Sequence, residues 1–421
     1  MEIRAVRGVK DILPGDVEKW QFVERTAHQV FEQYGYAEIK VPIFEQTSLF
    51  ARSIGETTDI VEKEMYSFED QGGEKLTLRP EATAGICRAY VEHHLFQQPG
   101  VVKLYCIGPM FRYERPQAGR FRQFYQIDVE AIGEGSPVVD AEVLTMLMAF
   151  LQRLGLQKLR LQLNSLGDAA CRPRYREALQ AYIRTYLDGL CAECQRRYER
   201  NPLRVLDCKK EGCRAVMEGA PRTGEFLCQD CRTHFDTVTD LLQSVGIGYV
   251  LDPRLVRGLD YYTRTTFEVS AEGLGAQNSV TGGGRYDGLI QEIGGPPTPG
   301  IGFAIGFERL VTVLEHNGLA PAGPHPDVFV APLGAPALRE AYGLVERLRR
   351  AGLRAEMGYD DRSLKSQLRR ANKLGVVFTL MLGERELATG KVALKEMHGG
   401  GQEEVSLDEV VAYLERKVKA G

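Results

Sequence analysis

Polar and apolar residues alternate most clearly between residues 111 and 130, where two alternating runs flank a loop of Arg, Gly, Gln and Pro. Successive side chains of a strand point to opposite faces, so Gln126, Asp128 and Glu130 share one face of the second run. The apolar side chains that alternate with them line the other face. The pattern predicts a long antiparallel hairpin with a polar face and an apolar back.

The first run and the loop of this hairpin are rich in arginine. Arg112 and Glu114 are predicted to share one face of the first run. The loop adds three more guanidinium groups, at Arg115, Arg120 and Arg122. Guanidinium provides fixed, bidentate donors for phosphate, and Phe124 beside these cations suits a stacked base or guanidinium. A solvated surface hairpin is the alternative, and it would be favoured for a hairpin seen alone.

The N-terminal part of the chain predicts a helix followed by a strand. Apolar residues recur at helical spacing from Val17 to Tyr34, and Gly35 is the expected C-terminal stop. Alternating apolar residues then predict a strand over residues 38–44. Because Pro42 cannot donate to a ladder, this strand is expected at a sheet edge or against another partner.

Residues 77–83, TLRPEAT, end a predicted strand at a turn, where binding side chains often lie. Glu81 and Thr83 bring a carboxylate and a hydroxyl to this turn, a combination that suits an ammonium group. The alternative is an ordinary helix start, since Pro80 and Glu81 are residue types that a first turn prefers.

A helix is predicted over residues 140–154 and a strand over 158–163. From about residue 168 to residue 250, Arg and Cys become more frequent and helical patterns dominate, which predicts an inserted domain. Six of the nine cysteines lie between residues 191 and 231 of this segment, as Cys191-x-x-Cys194, Cys208-x4-Cys213 and Cys228-x-x-Cys231. Two Cys-x-x-Cys pairs in an intracellular protein usually indicate zinc, although the middle pair has a looser spacing. Disulfides and reduced thiols remain alternatives.

Three segments after the insert combine glycine with charged or aromatic residues: LVRGLDYY (255–262), TGGGRYDGL (281–289) and GFAIGFERL (302–310). Consecutive glycines let a backbone approach a ligand closely, although a flexible turn is the better interpretation of a glycine run alone. In the third segment a strand ends and a helix begins, with Arg309 in the first turn and off the apolar stripe. An ordinary solvated arginine is the alternative for that residue.

The C-terminal part follows a linker, PAGPHP (321–326). Strands predicted over 327–332, 354–357, 376–382 and 392–397 alternate with amphipathic helices, which indicates a small α/β domain with a mostly parallel sheet. Five basic residues lie on or beside one helix, either as a solvated face or as a surface for RNA: Arg362, Lys365, Arg369, Arg370 and Lys373.

The length, the charge and the apolar runs of the chain limit the classes of protein to which it can belong. A length of 421 residues allows two or three domains, and a formal charge of −4 gives no global basic field, although a local patch is enough for RNA. No apolar run approaches the ~20 residues that span a bilayer. The N-terminus is charged and lacks the apolar core of a signal peptide, so a cytoplasmic protein is expected.

Several of these segments resemble class II aminoacyl-tRNA synthetases. The Phe-Arg-x-Glu sequence at 111–114, with its loop and second strand, resembles motif 2 of that class. The N-terminal helix and strand resemble motif 1, the dimer-forming element, and residues 302–310 resemble motif 3. Residues 255–262 and 281–289 resemble signature segments of the histidyl-tRNA synthetase family, and the match covers nearly the whole chain.

The resemblance implies a fold of three parts. An α+β catalytic domain, with an antiparallel sheet and flanking helices, would cover residues 1–167 and 251–320. A mainly helical domain would be inserted over 168–250. A C-terminal α/β domain over 326–421 would bind the anticodon of histidine tRNA. The resemblance also implies a homodimer that forms through the N-terminal helix and strand.

The implied activity is the charging of histidine tRNA, using L-histidine and ATP with Mg²⁺, through histidyl-adenylate. The implied histidine-binding residues are Glu81, Thr83, Gln126, Glu130, Tyr261 and Tyr262. The implied ATP-binding residues are Arg112, Glu114, Arg120, Phe124, Arg257 and Arg309. Arg112 and Arg257 would act in catalysis at the α-phosphate, and no side chain of this site is expected to be a metal ligand.

Two alternatives belong to other functional classes. A non-catalytic regulatory paralogue, such as the synthetase-like subunit of the first enzyme of histidine biosynthesis, keeps the fold. The paralogue resembles the synthetase poorly in the segment that corresponds to residues 255–262, and it lacks the C-terminal domain. This chain has both that segment and that domain. A class II synthetase for another amino acid conflicts with the combination of Glu130, Tyr262 and residues 281–289.

Overall fold

The computed structural model describes residues 3–55, 58, 60–114, 120–271, 279–321, 323, 325–360 and 362–419. The chain divides into two compact units, residues 1–321 and 322–421. Within the described residues, none of the helices has both the length and the apolar character that crossing a bilayer requires.

The first unit contains eleven strands among its described residues: β1 (Ala37–Glu38), β2 (Phe44–Gln46), β3 (Tyr66–Glu69), β4 (Lys75–Leu78), β5 (Val102–Phe111), β6 (Gln123–Ile132), β7 (Leu159–Ser165), β8 (Val250–Leu251), β9 (Thr263–Ala271), β10 (Ser279–Arg285) and β11 (Gly300–Gly306). The α-helices of the same part are α1 (Val17–Gln33), α2 (Thr47–Ile54), α3 (Thr83–Glu92), α4 (Pro137–Arg153), α5 (Arg172–Thr185), α6 (Ala192–Arg200), α7 (Leu203–Leu206), α8 (Glu211–Glu218), α9 (Gln229–Ser244), α10 (Leu289–Glu292) and α11 (Phe307–His316). Shorter helical turns cover Ile60–Glu64, Leu95–Gln97, Leu187–Gly189 and Thr223–Glu225.

Eight of these strands form one sheet in the order β1-β5-β6-β11-β10-β9-β7-β8. The six central strands, in sheet order β5-β6-β11-β10-β9-β7, pair antiparallel. In this sheet only the two-residue edge strands β1 and β8 pair parallel with their neighbours. A second, three-stranded antiparallel sheet has the order β2-β4-β3. The predicted antiparallel sheet with flanking helices is therefore confirmed.

The main core lies between one face of the large sheet and helices α1, α4, α9 and α11. Trp20 of α1 stacks on Phe307 of α11, with ring centroids 4.3 Å apart, and Ile127 and Val129 supply the apolar back of β6. The opposite face of β6 carries Gln126 and other polar side chains, so a polar face and an apolar back are both present. This arrangement leaves the polar face available for a site.

β5 and β6 form the predicted hairpin and pair along all ten residues of each strand, but Arg112 and Glu114 lie beyond the end of β5. The Arg112 N–H still donates to the carbonyl of Arg122 (2.9 Å), whereas the Tyr113 N–H donates to the carbonyl of Glu64 (2.7 Å). That second bond takes the chain out of the ladder. The prediction that Arg112 and Glu114 share a strand face is therefore wrong.

The strand predicted over residues 38–44 is also wrong in its extent, because β1 and β2 cover only its two ends. The guanidinium of Arg79, which is buried, donates to the carbonyls of Val41 (2.7 Å) and Pro42 (3.4 Å). A side chain thus occupies the acceptors that a neighbouring strand would use, and Pro42 offers no N–H.

Helices α5 to α9 occupy the segment in which the sequence predicts an inserted helical domain. A separate small core lies between α5 and α8, with Tyr175, Leu179 and Met217 among its buried residues. By contrast, Val238 and Leu242 of α9 are buried in the main core. The predicted domain limits at residues 168 and 250 stay a prediction, and α9 packs in the main core of the first unit.

The second unit contains β12 (Val328–Pro332), α12 (Ala335–Arg350), β13 (Ala355–Met357), α13 (Leu364–Leu374), β14 (Phe378–Leu382), α14 (Glu384–Thr389), β15 (Lys391–Glu396), β16 (Gln402–Ser406) and α15 (Val410–Lys419). The sheet order is β13-β12-β14-β15-β16. The first three strands pair parallel, as predicted. β15 pairs antiparallel with β14 and with β16, a strand that the sequence did not predict, so the sheet is mixed, with two parallel and two antiparallel pairings. Glycines 399–401 close the final hairpin, with Gly400 at φ +74°.

Candidate active site

A cavity of about 310 Å³ lies against the polar face of the large sheet in the first unit. The turn before α3, the hairpin, the segment 257–262, β10 and the junction of β11 with α11 all contribute to its lining. The structure brings together every side chain that the sequence assigned to the site: Glu81, Thr83, Arg112, Glu114, Arg120, Phe124, Gln126, Glu130, Arg257, Tyr261, Tyr262 and Arg309.

Glu130 of β6 is buried and accepts hydrogen bonds from two hydroxyls. Thr83 Oγ1 donates to its Oε1 (2.6 Å), and Tyr286 OH donates to its Oε2 (2.5 Å). Burial raises the pKa of Glu130 to about 8, and the carboxylates of Asp128 and Glu81 add to that shift while the two hydroxyls oppose it. A strongly shifted carboxyl in a cavity indicates a functional site.

Glu81 joins the cavity to the start of α3. Its Oε1 accepts from the Ala84 N–H (2.9 Å), as an ordinary helix start would require, and its Oε2 accepts from Tyr261 OH (3.0 Å). Burial raises the pKa of Glu81. The ring of Tyr261 lies 4.6 Å from that of Tyr262 and 5.8 Å from that of Tyr286. We call this network the acid–tyrosine group: Glu81, Thr83, Glu130, Tyr261, Tyr262 and Tyr286.

Gln126 lies beside this group on β6 and lines the cavity. Its Oε1 is buried and has no hydrogen-bond partner among the residues that the structure describes. Buried acceptors are nearly always paired in folded proteins. Gln126 therefore offers an acceptor that an N–H group of a bound molecule would satisfy.

Four arginines also line the cavity, and we call them the arginine group: Arg112, Arg120, Arg257 and Arg309. The Nε of Arg112 donates to the carbonyl of Pro80 (2.9 Å), and its guanidinium lies 5.2 Å from the ring centroid of Phe124. Arg120 pairs with Glu114 (3.2 Å). Arg115 of the same loop lies outside the described residues.

The other two members of the arginine group approach a shared carboxylate. Arg257 Nη1 pairs with Glu268 Oε2 (2.7 Å), and its buried Nε has no hydrogen-bond partner within the described part of the chain. Burial lowers the pKa of Arg309, as do the charges of Arg120 and Arg112, while Glu268 and one further carboxylate raise it. Like charges held this close together favour an anionic ligand between them.

The glycines of β10 and β11 make room for these side chains. A Cβ added to Gly282 would clash with the guanidinium of Arg257, and one added to Gly302 would clash with the carboxylate of Glu130. Gly284 similarly leaves space for the ring of Tyr262. The glycine run therefore lies in a strand and not in a flexible turn, and it admits neighbouring site side chains as well as leaving cavity space.

The two groups differ in the chemistry they can bind. The acid–tyrosine group and Gln126 present acceptors and hydroxyls to a small molecule that carries N–H groups. The arginine group and Phe124 suit phosphates and a stacked ring. A cavity that combines both fits an amino acid and a nucleotide bound side by side.

Comparison with known proteins agrees with this combination. The family model described as "Histidyl-tRNA synthetase" matches residues 8–310. The chain belongs to the histidyl-tRNA synthetase family. A second model, described as "Anticodon binding domain", matches residues 327–417, within the second unit.

Relatives within this synthetase family match over almost the full length. A histidine–tRNA ligase of Desulforamulus reducens is 53% identical over 412 residues, covering 98% of both chains. One of Syntrophotalea carbinolica is 53% identical over 419 residues, covering 100% of both. The crystal structure of apo histidyl-tRNA synthetase from S. aureus is 40% identical, with a TM-score of 0.83, and covers 98% of this chain and 100% of that one.

These findings confirm the class II synthetase fold, the C-terminal α/β anticodon-binding domain and the function of a histidine–tRNA ligase that were predicted from the sequence. They favour the ligase over the regulatory paralogue, because the ligases named above match from end to end. The family uses ATP with Mg²⁺.

Among the polar side chains in or beside this synthetase's cavity, three received no role from the sequence: Tyr286 and Glu308, which line the cavity, and Glu268, which pairs with Arg257. Tyr286 lies inside the quoted segment 281–289, but nothing in the pattern shows that its hydroxyl reaches Glu130. Side chains alternate along β9, and Glu268 lies on the face that carries other polar residues of the strand. An argument from strand faces could therefore have found it. Glu308 accepts from the Tyr125 N–H (3.1 Å), and burial raises its pKa to about 7.

Asp128 was grouped with Gln126 and Glu130 on the polar face of β6, and it is indeed fully buried on that side. It does not line the cavity. Burial raises the pKa of Asp128 to about 8, with Glu81 adding to the shift and Arg79 and Arg112 opposing it. Alternation along the strand thus identifies the face, but only the three-dimensional structure separates cavity-lining from internal acids.

Proposed function

We propose that the cavity binds L-histidine against the acid–tyrosine group and ATP against the arginine group, and that it catalyses formation of histidyl-adenylate. The observation that carries this proposal is that both groups line one cavity of about 310 Å³. The histidyl group would then pass to the 3′-terminal adenosine of histidine tRNA. This function agrees with the family and with the names of the relatives.

Histidine recognition requires partners for both imidazole nitrogens. Glu130 and Tyr262 are proposed to supply them, and the contacts of Glu130 with Thr83 and Tyr286 fix its carboxyl in place. The α-amino group of histidine would contact Glu81, Thr83 and the unpaired Oε1 of Gln126. Tyr261 would orient Glu81 through its hydroxyl. A site built from such groups rejects apolar amino acids, because they leave its polar atoms unpaired.

ATP is proposed to lie along the arginine group. Phe124 would stack on adenine, with Glu114 near its polar edge and Arg309 over the ring or at the outer phosphates. Arg120 would face those phosphates from the hairpin loop. Magnesium would enter with ATP and neutralise pyrophosphate.

The first step is attack by a carboxylate oxygen of histidine on the α-phosphorus of ATP. The bond from that phosphorus to the bridging oxygen breaks, and pyrophosphate leaves. Arg112 and Arg257 are proposed to stabilise the charge that builds at the α-phosphate, so catalysis depends on positioning and electrostatics. In the second step a ribose hydroxyl of the terminal adenosine attacks the carbonyl carbon, and AMP leaves.

The direct test of this function is ATP–pyrophosphate exchange. Exchange should depend on L-histidine and should be far weaker with the other amino acids, because Glu130 and Tyr262 require an N–H-bearing ring. Glutamine and phenylalanine are the informative competitors, since one shares polarity and the other ring shape. Equal exchange with another amino acid would assign the site to a different class II synthetase.

The second unit is proposed to hold the anticodon stem of the tRNA. Of the five basic residues noted in the sequence, Arg362 pairs with Asp360 (2.8 Å), and Arg370 lies 5.3 Å from the ring of Tyr359. Lys365 and Arg369 instead line a shallow groove on α13. These two are the stronger candidates for phosphate contacts.

Reversing both charges, with Lys365→Glu and Arg369→Glu, should weaken tRNA binding and leave histidine-dependent exchange unchanged. Each phosphate contact that is lost should reduce the slope of log K against log salt by about 0.7–0.9. Removal of residues 325–421 should also lower aminoacylation through weaker tRNA binding, and by more than the double reversal does. The reversal Arg347→Glu with Arg350→Glu on α12 is the control. A doubly reversed synthetase that charges tRNA at the normal KM would exclude α13 from the interface.

Two further predictions from the sequence are kept as proposals. A homodimer through the N-terminal helix and strand is supported by Ile43 and Phe44, which are 44% and 55% exposed at the start of β2. The apolar face of α1 is already buried in the main core, so the segment after it is the better candidate for contact. A cytoplasmic location is proposed from the function, since tRNA charging serves protein synthesis there.

A further inference from the structure

The helical segment of the first unit holds two separate groups of potential metal ligands. The first, the four-cysteine site, is formed by Cys191, Cys194, Cys208 and Cys213. The second, the aspartate site, is formed by Asp168, Cys171, Cys228 and Cys231. In each group one ligand atom from every residue lies within 4.8 Å of the other three.

This division differs from the one that the sequence suggests. The six clustered cysteines noted there do not share one site, because Cys228 and Cys231 lie with two residues that precede α5. Asp168 and Cys171 have the same x-x spacing as a Cys-x-x-Cys pair, with a carboxylate in the first position. Both sites therefore have four potential ligands, which is the number that structural zinc takes.

Distances in the aspartate site match one metal centre. Zn–S bonds of about 2.3 Å and Zn–O bonds of about 2.1 Å in a tetrahedron place two sulfurs about 3.8 Å apart and a sulfur and oxygen about 3.6 Å apart. Cys171 Sγ lies 3.8 Å from Cys231 Sγ and 3.6 Å from Asp168 Oδ1. Cys228 Sγ lies 3.9 Å from the same oxygen. A disulfide would need about 2.0 Å between sulfurs, and none of the nine cysteines, all of which are described, forms one.

The carboxylate of Asp168 is oriented as a single-oxygen ligand. Its Oδ1 faces the thiols and also accepts from the Ala170 N–H (3.0 Å), while its Oδ2 pairs with Arg264 Nη2 (3.2 Å). Partners of this kind fix a ligand's orientation in known metal sites. Arg264 is held in turn by hydrogen bonds from its backbone N–H to the carbonyl of Gly167 (2.8 Å) and from the Leu166 N–H to its own carbonyl (2.7 Å).

Both sites draw ligands from the starts of helices. Cys191 and Cys228 stand at the N-caps of α6 and α9, with Cys194 and Cys231 in the first turns, and Cys171 caps α5. The partial positive charge of a helix N-terminus favours thiolate, the form that binds metal. In the four-cysteine site the Cys191 N–H also donates to Cys213 Sγ (3.2 Å), a further stabilisation of thiolate.

We propose that the chain binds two structural zinc ions, one in the four-cysteine site and one in the aspartate site. The first would join α6 to α8 in the small helical core, where Cys194 and Cys213 are buried. The second would join two parts of the chain: the stretch between β7 and α5, where the helical segment begins, and the start of α9. α9 itself packs in the main core. This proposal does not depend on the catalytic assignment.

Metal analysis of the full-length protein, purified without chelators, should find about two zinc ions per chain, as two four-ligand sites require. Cys194→Ser with Cys213→Ser should leave one ion, and Cys171→Ser with Cys231→Ser should leave the other. Zinc X-ray absorption on the unmodified protein should fit seven sulfur ligands and one oxygen ligand over two ions, the sets given by the sites. This measurement needs no variant to fold.

Asp168 provides the sharpest test of the second site. Asp168→Ala should lose one zinc ion, whereas Asp168→Cys should keep both and raise the sulfur count by one, because cysteine supplies a ligand from the same position. Cys106→Ser is the control, since Cys106 is buried in β5 and belongs to neither site. A protein without zinc, a single ion shared by six cysteines, or two ions retained in Asp168→Ala would each overturn the proposal.

Discussion

Replacing Arg257 with alanine is expected to slow histidine-dependent pyrophosphate exchange by about 100- to 1,000-fold in kcat, the range seen when one donor to developing charge is removed. The KM for histidine should change much less. Arg257 would act mainly in the transition state, where negative charge concentrates on the α-phosphate. Steady-state exchange at varied histidine and ATP separates these two effects.

The surroundings of Arg257 support this expectation. Gly282 leaves the space that its guanidinium fills, and Glu268 holds one Nη at 2.7 Å. The buried Nε has no hydrogen-bond partner among the described residues, so a donor is left for a ligand. A charge held in this way needs little rearrangement when a phosphate arrives, which is the basis of electrostatic preorganisation.

Arg254→Ala is the matched control for this experiment. Arg254 lies three residues earlier in the same segment, is exposed, and does not line the cavity. Its removal should leave exchange within about twofold, as expected for surface substitutions away from special features. If Arg257→Ala instead raised the KM for ATP and left kcat unchanged, the side chain would bind the ground state only.

The sequence predicted the site best in the strand where polar and apolar residues alternate and the polar ones include charged groups. Gln126 and Glu130 were placed on one face of a hairpin strand, and they do line the cavity together. Alternation has a period of two residues and is independent of the rest of the fold, so it can be read from the chain alone. It failed at Arg112 and Glu114, because a hydrogen bond from Tyr113 to the distant Glu64 ends the strand early.

Contacts that join distant segments were beyond the reach of the sequence. Tyr286 meets Glu130 across 156 positions, and Tyr261 meets Glu81 across 180. Neither pair shares a periodic pattern, so the resemblance to a family was needed to place Tyr261 in the site at all. Tyr286 shows the remaining gap, since it lies in a quoted signature segment and yet received no role.

The cysteines illustrate the same limit in another form. Spacing identified the pairs but could not show which pairs meet, because the folding of α5 to α9 decides that. Asp168 could not be found from a search for Cys-x-x-Cys, since its carboxylate takes the place of a thiol. Chain spacing therefore indicates the kind of metal site, and the three-dimensional arrangement indicates the ligand sets.

Glu130→Gln is expected to weaken histidine binding by about 10- to 100-fold, the effect of losing a charged hydrogen-bond partner worth about 1.5–3 kcal/mol. ATP binding should change little, because Glu130 belongs to the acid–tyrosine group and not to the arginine group. The substitution keeps the shape of the side chain. Of Thr83 and Tyr286, the hydroxyl that faces the new NH2 group can turn to accept from it while the other still donates to the amide oxygen, so the fold should survive.

Asp128→Asn is the matched control. Asp128 lies two residues away on the same face of β6, is equally buried, and has a similarly raised pKa, but it does not line the cavity. It should therefore leave the affinity for histidine nearly unchanged. A loss of histidine affinity in both variants would show that the effect comes from the buried charges of the strand and not from contact with the substrate.

The pH dependence of stability gives a second, independent reading of Glu130. Burial raises the pKa of Glu130 in the folded protein from its ordinary value of 4.5 to about 8, so the folded state retains a proton that the unfolded state loses. The stability that this proton provides is complete below pH 4.5 and is lost as the pH rises through 8. Glutamine has no proton to lose, so the free energy of unfolding of Glu130→Gln, measured in urea without substrate, should rise relative to the unmodified protein between those two pH values.

Saturating histidine should reduce that difference, because a bound imidazole N–H favours the ionised carboxylate. A difference in stability that stays constant with pH and with histidine would mean that Glu130 is already ionised in the free cavity, and its part in reading imidazole would then have to rest on the affinity measurements alone.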